Sequence, residues 1–151
     1  RFNGLQIWCR SRYNTHQKPF VFDQQGNVIA DWEMDDVAPE GWTDAGVEVI
    51  HTIDWTGEDR QLACAKERHT EGDVCIFNPL TGEFRPRISE HANRLYVADV
   101  LGDWREEIIV WNRNEIHIHK NTMKNPNPDH PSLWENHNYQ RSRQTWNYYS
   151  P

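Results

Sequence analysis

The stretch Tyr96-Val97-Ala98-Asp99-Val100-Leu101-Gly102-Asp103-Trp104-Arg105-Glu106-Glu107-Ile108-Ile109-Val110 decides how the rest of the chain is read. One apolar run enters it and a second leaves it, so it reads as two strands joined by a tight acidic loop. Asp99, Asp103 and Glu107, with the carbonyl of Leu101 in the third place, form a pattern suited to a hard cation. Carboxylates alternate along the turn, Gly102 permits the backbone reversal, and the last acid closes from the next strand. Asp and Gly also build ordinary hairpins, so a single copy leaves a calcium site and a structural turn both open.

A second copy lies upstream. Val49-Ile50-His51-Thr52-Ile53-Asp54-Trp55-Thr56-Gly57 aligns with Arg94-Leu95-Tyr96-Val97-Ala98-Asp99-Val100-Leu101-Gly102, and in both cases a strand, a polar turn and a further strand follow. In the upstream loop Glu58 remains, Thr56 takes the third place and Leu62 replaces the closing acid, so this copy is expected to be metal-free. Moving outward, 5–12 reads as a strand, and 19–23 with 28–32 as a hairpin about Gln24-Gln25-Gly26-Asn27. An acidic connection over 33–46 leads to strands at 47–54, 61–66, 73–77 and 83–88, then 95–98, 107–111 and 115–119. No segment sustains a 3.6-residue period, so the chain is expected to be all-β. A repeat of about 40–50 residues holding up to four short strands is the signature of a β-propeller blade. The expected organisation is a partial blade over 1–33, a four-stranded blade over 47–88, a blade of at least three strands over 94–120, and an irregular, aromatic-rich C-terminal arm over 121–151. Ile53, Leu62, Val74, Ile76, Val97, Ile108 and Val110 are expected to be buried between sheets. Closed propellers take about four to eight blades, so these two and a half to three blades read as the C-terminal excerpt of a larger propeller, whose missing N-terminal blades would be its partners. A sandwich of about ten strands is the alternative architecture.

Composition narrows the function classes. The 151 residues carry a formal net charge of -7, 36% hydrophobic residues, eight Trp and five Phe, with a mean hydropathy of -0.94. The acidic balance argues against a nucleic-acid backbone as partner, and no run is long and apolar enough to suggest a membrane span. Cys9, Cys64 and Cys75 all sit in strand-like runs without metal-ligand spacing and are expected to be buried thiols rather than a disulfide. In the arm, Asn125-Pro126-Asn127-Pro128-Asp129-His130-Pro131 excludes regular structure. Leu133, Trp134, Tyr139, Trp146, Tyr148 and Tyr149 then either pin the arm across the sheets or form a platform for sugar rings.

The phrase Ala98-Asp99-Val100-Leu101-Gly102-Asp103-Trp104-Arg105-Glu106-Glu107, the Asn-Pro-Asn-Pro segment and the ending Thr145-Trp146-Asn147-Tyr148-Tyr149-Ser150-Pro151 resemble rhamnogalacturonan lyases of polysaccharide lyase family eleven. Lys66-Glu67-Arg68-His69, Gly72-Asp73-Val74 and Asn78-Pro79-Leu80-Thr81-Gly82 belong to the same resemblance, although the tail departs from the ending usual in the pectin enzymes. The resemblance implies a calcium-rich eight-bladed propeller and a secreted enzyme, extracellular or periplasmic, that cleaves a uronate-containing polysaccharide by β-elimination. Such chemistry offsets the uronate carboxylate charge, removes the C5 proton and assists departure of the C4 oxygen; calcium, Arg or an amide serve the first role and Lys, His, Tyr or Arg the others. The expected catalytic cluster is Lys66, Arg68 and His69, with Arg10, Arg12, His16 and Arg113 on the substrate, gathered into a basic groove on one face. His117 and His119 alternate on one strand face, where they either bind metal or are satisfied locally. A non-catalytic calcium-binding carbohydrate-binding or adhesion propeller and a structural module for protein contacts are the competing classes.

Overall fold

The computed structural model describes residues 5–10, 19–68 and 72–145. Their elements are β1 (Ile7–Arg10), β2 (Pro19–Phe22), β3 (Val28–Ala30), α1 (Met34–Val37), β4 (Val47–Ile53), β5 (Leu62–Glu67), β6 (Gly72–Phe77), β7 (Ile88–Ala92), β8 (Arg94–Ala98), β9 (Glu107–Asn112), β10 (Glu115–His119), a 3-10 turn at Leu133–Glu135 and α2 (His137–Thr145). The ten strands make three antiparallel sheets with sequential order β1-β2-β3, β4-β5-β6-β7 and β8-β9-β10. The fold is all-β in its body, and the interleaved order of a sandwich is not seen among the described strands.

Two apolar layers separate the sheets. Ile53, Leu62, Cys64, Val74 and Ile76 of the middle sheet pack against Leu95, Val97, Ile108 and Val110 of the third. All seven residues expected to be buried between sheets are at most 4% exposed. On its other face the middle sheet contributes Val47, Ala63, Ala65, Cys75 and Phe77 to a layer with Met34 and Trp42, against which Trp8 and Trp32 rest. Phe77 stacks on Phe84 with centroids 4.9 Å apart, and the Trp42 indole N–H donates to the Asp73 carbonyl at 3.0 Å. Coverage on both faces explains why β5 reads as a continuous small-apolar run rather than an alternating one.

Three expectations need correction. The fourth strand of the middle sheet is Ile88–Ala92, not 83–88. Phe84 makes one bridge to Phe77 and Arg85 N–H reaches the Ile76 carbonyl, but Pro86 has no donor and ends that pairing. Cys9 is exposed, while Cys64 and Cys75 are buried free thiols. The arm is not wholly irregular, because α2 follows Asn136, whose Oδ1 accepts from the N–H groups of Asn138 and Tyr139 at 2.9 and 3.4 Å. That is an N-cap. The helix turns only Tyr139, Gln140 and Arg143 away from full exposure, so no apolar stripe announces it.

The outer faces of the end sheets are partly apolar and open. Ile116 sits opposite Trp111 across β10 and β9, and both are exposed with Ile118; Ile7 and Val28 are exposed on the first sheet. Replacing Ile108, wholly buried between sheets, by Ala is expected to cost about 2–5 kcal/mol in urea unfolding. Ile116→Ala on the open face should cost under about 0.5 kcal/mol. Equal costs would mean that the two faces are covered alike.

Candidate functional site

The 99–107 loop is held by its own acids. Glu107 Oε2 accepts the N–H groups of Val100 and Leu101 at 2.8 and 3.1 Å. Asp99 Oδ1 accepts the Gly102 N–H at 2.6 Å, and its Oδ2 accepts from the Ser132 hydroxyl and the Leu133 N–H, both at 3.0 Å. Asp103 takes the Arg105 guanidinium at 2.6 Å; burial alone would raise its pKa, but Arg105 holds it below the usual carboxylate range. Burial pushes the Glu107 carboxyl up. The carboxylates of Asp99, Asp103 and Glu107 thus face N–H, O–H and guanidinium donors, and among the described residues no three His, Cys, Asp or Glu side chains gather around a position for a metal ion. The Asp54 loop is likewise bonded within the chain: Asp54 takes Gln61 at 2.9 Å and Glu58 pairs with Arg60 at 2.6 Å.

Between these loops lies the residue that sequence reading missed. Glu106 is completely buried. Its N–H donates to the Asp54 carbonyl at 2.9 Å and its Oε2 accepts the Asp54 N–H at 2.9 Å. Its Oε1 accepts from the Tyr139 hydroxyl at 2.9 Å and from Arg143 at 2.5 Å. Tyr139 oxygen in turn accepts the Asp99 N–H at 2.7 Å, and the Tyr96 hydroxyl donates to the Arg143 carbonyl. The two repeated loops and the arm therefore meet on one carboxylate. Only the arm's aromatics and the double Glu at 106 and 107 hinted at this in the sequence.

Of the expected catalytic residues, Lys66 and Arg68 are described and lie away from these loops. Lys66 is 1% exposed and its ammonium donates to the Glu67 carbonyl at 2.8 Å, so it is enclosed rather than presented to a polymer. Arg68 is half-buried with its N–H on the Gly46 carbonyl. Arg113 is exposed in the turn from β9 to β10 with φ of 53°. His69, Arg12 and His16 lie outside the described residues, and of Arg10 only the backbone, paired with Pro19, is described. His117 and His119 both bond Glu90 of β7, at 3.0 and 2.6 Å, a local satisfaction that ties the second and third sheets together.

A cleft of about 810 Å³ lies between the first two sheets, at the end carrying the Asp54 loop. Trp8 and Trp104 stand in its walls with Asp54, Asp59, Gln61 and Asn78. Trp104 has a left-handed φ of 71° and its ring meets His130 edge-on at 4.3 Å. Leu62 lines the cleft while Lys66 lies four residues along the same strand, about 13 Å away at strand rise. Lys66 and the cleft are thus at opposite ends of β5. Desolvation drives the Asp54 carboxyl up to about 6, with Glu106 and Asp99 adding to the shift against Gln61 and Arg143. His51, also in the cleft wall, is pushed down to about 4, chiefly by burial and then by Arg143.

Comparison of the chain with descriptions of known protein families, with curated proteins and with solved structures finds no match.

Two stability predictions follow from the buried network. Removing Arg143 as Arg143→Ala leaves Glu106 uncompensated and should cost about 3–5 kcal/mol by urea unfolding; the pair Glu106→Gln with Arg143→Met should cost less than that single change. For Asp54 the folded pKa exceeds the unfolded value of 3.8, so its favourable contribution is present below about pH 3.8 and lost as pH rises through about 6. Asp54→Asn should therefore raise the melting temperature at pH 8, by about 1–3 kcal/mol of stability, and leave it nearly unchanged at pH 4. His51 acts with the opposite sign: its contribution is full above pH 6.5 and lost as pH falls through about 4.

Proposed function

We propose that this chain is a glycan-engaging part of a β-propeller protein related to polysaccharide lyases, and that it contributes carbohydrate-binding surface rather than the eliminating base. The observation that carries this is the cleft with Trp8 and Trp104 in its walls and Asp59, Gln61 and Asn78 beside them. Indole faces stack on the apolar faces of pyranose rings, while carboxylate and amide groups bond the hydroxyls. Propeller architecture is supported by three features: strands ordered sequentially within each sheet, two sheets stacked through an aliphatic layer, and loops repeated at equivalent strand ends. The open apolar faces at Ile7 and Trp111 suit further blades of the same protein.

An acidic polysaccharide is the ligand class of this reading, and an extracellular or periplasmic location goes with it. Elimination requires a base within reach of the C5 proton. Lys66 is enclosed, which favours the binding role over the lyase role for the described surface. Calcium is not needed for any step of this reading. Titration with calcium or addition of a chelator should leave the melting temperature unchanged; a rise with calcium would mean that Asp103 leaves Arg105 to take the ion.

Titration calorimetry of the chain with oligosaccharides tests the binding role. Trp104→Ala should weaken binding about tenfold or more, on the scale of one lost stacking contact of 1–3 kcal/mol, with the fold intact by circular dichroism. No binding of any oligosaccharide by the folded wild type would end the proposal. Ultraviolet absorbance from an unsaturated uronide, abolished by Lys66→Ala, would restore the lyase reading.

A further inference from the structure

A second groove, of about 490 Å³, adjoins the cleft and shares Arg60 with it. The Asp54 loop forms one wall with Trp55 and Glu58, Ile76 and Ile88 form the floor, and the start of the arm with Met123 and Lys124 forms the other wall. Arg60, Arg85 and Lys124 all line it and all three are exposed. Glu58 is its one acidic side chain among the described residues, and Glu58 already pairs with Arg60. Arg85 and Lys124 make no ion pair with any described residue. In a chain of net charge -7, this is a local reversal of sign, which is what holding a polyanion requires. The sequence placed such a groove on Arg10, Arg12, Lys66, Arg68 and His69, of which Arg12 and His69 lie outside the described residues.

The groove is built before any ligand arrives. Asn121 donates to the Trp55 carbonyl at 2.9 Å, Asn127 to the Gly57 carbonyl at 2.7 Å and Asn125 to the Asp103 carbonyl at 3.0 Å. Arg105 adds a bond to the Met123 carbonyl at 2.8 Å. At Gly57, where φ is +75°, an added Cβ would collide with the Asn125 side chain. The arm thus lies against the loop too closely for any other residue there. Arg85 is anchored through its N–H on Ile76. A wall fixed in this way removes much of the ordering cost of binding.

We propose that this groove is a carboxylate-binding subsite for an acidic glycan whose chain continues from the cleft across Arg60. Arg85 and Lys124 receive uronate carboxylates, and Trp55 offers a face to the sugar ring between them. The proposal deepens the glycan-binding reading and rests on it for the continuity of the polymer.

The test uses the intact chain, with a de-esterified uronic-acid oligomer, its methyl-esterified neutral counterpart and a neutral glucan oligomer as probes in titration calorimetry. Arg85→Ala with Lys124→Ala should lower affinity for the de-esterified oligomer about tenfold, two exposed charge contacts being lost. The same variant should leave the neutral oligomers unaffected and flatten the salt dependence of uronate binding. Trp104→Ala in the cleft should weaken all the probes. Unchanged uronate affinity in the double variant overturns the subsite while leaving the cleft intact. Uronate binding that responds to Arg85 and Lys124 but not to Trp104 keeps the subsite and removes its continuity with the cleft. Equal or tighter binding of a single-stranded oligonucleotide in parallel titrations overturns the glycan class.

Discussion

The rest of the structure depends on one buried carboxylate, that of Glu106. A fully desolvated carboxylate is tolerated only when it is paired and its oxygens are hydrogen-bonded. Here Arg143 supplies the charge, and Tyr139 and the Asp54 N–H supply the remaining donors. Because these partners come from the middle sheet's loop and from α2, satisfying Glu106 positions three parts of the chain at once. The apolar layers alone would hold the sheets together without deciding where the arm lies.

The two repeated loops use this requirement differently. The Asp54 N–H is taken by Glu106 of the following sheet. The equivalent Asp99 N–H is taken instead by the Tyr139 hydroxyl of the arm, and the Asp99 carbonyl receives the Trp134 indole N–H at 2.5 Å. The arm therefore closes the second loop with the kind of polar contact that the next sheet provides for the first. A helix of low intrinsic apolarity can serve there, since what it buries is a phenol and a guanidinium rather than an aliphatic stripe.

The same packing decides which side chains share a surface. Lys66, Arg68 and His69 are adjacent in sequence, and adjacency suggested a cluster. A strand covered on both faces sends Lys66 inward, where it is 1% exposed, while Arg68 beyond it is half-buried with its N–H on the Gly46 carbonyl. The cationic groove is assembled from Arg60, Arg85 and Lys124, which belong to a loop, a strand connection and the arm. Their meeting follows from the arm's Asn ladder on Trp55, Gly57 and Asp103.

Local chemistry written in the sequence was enough for the strands, because period-2 and continuous apolar runs, bounded by Gly26, Gly57, Gly82 and Gly102, report on burial within a few residues. It was enough also for the repeat, for the three-sheet division and for the seven core positions. The boundary error at 83–88 arose because Pro86 interrupts a run that otherwise looks like a strand. α2 was hidden because its inward residues are polar. The Glu106–Arg143 pair, the cleft at Trp8 and Trp104 and the basic groove were decided only by tertiary structure, since each joins residues tens of positions apart whose types are ordinary until desolvation and proximity give them a shared environment.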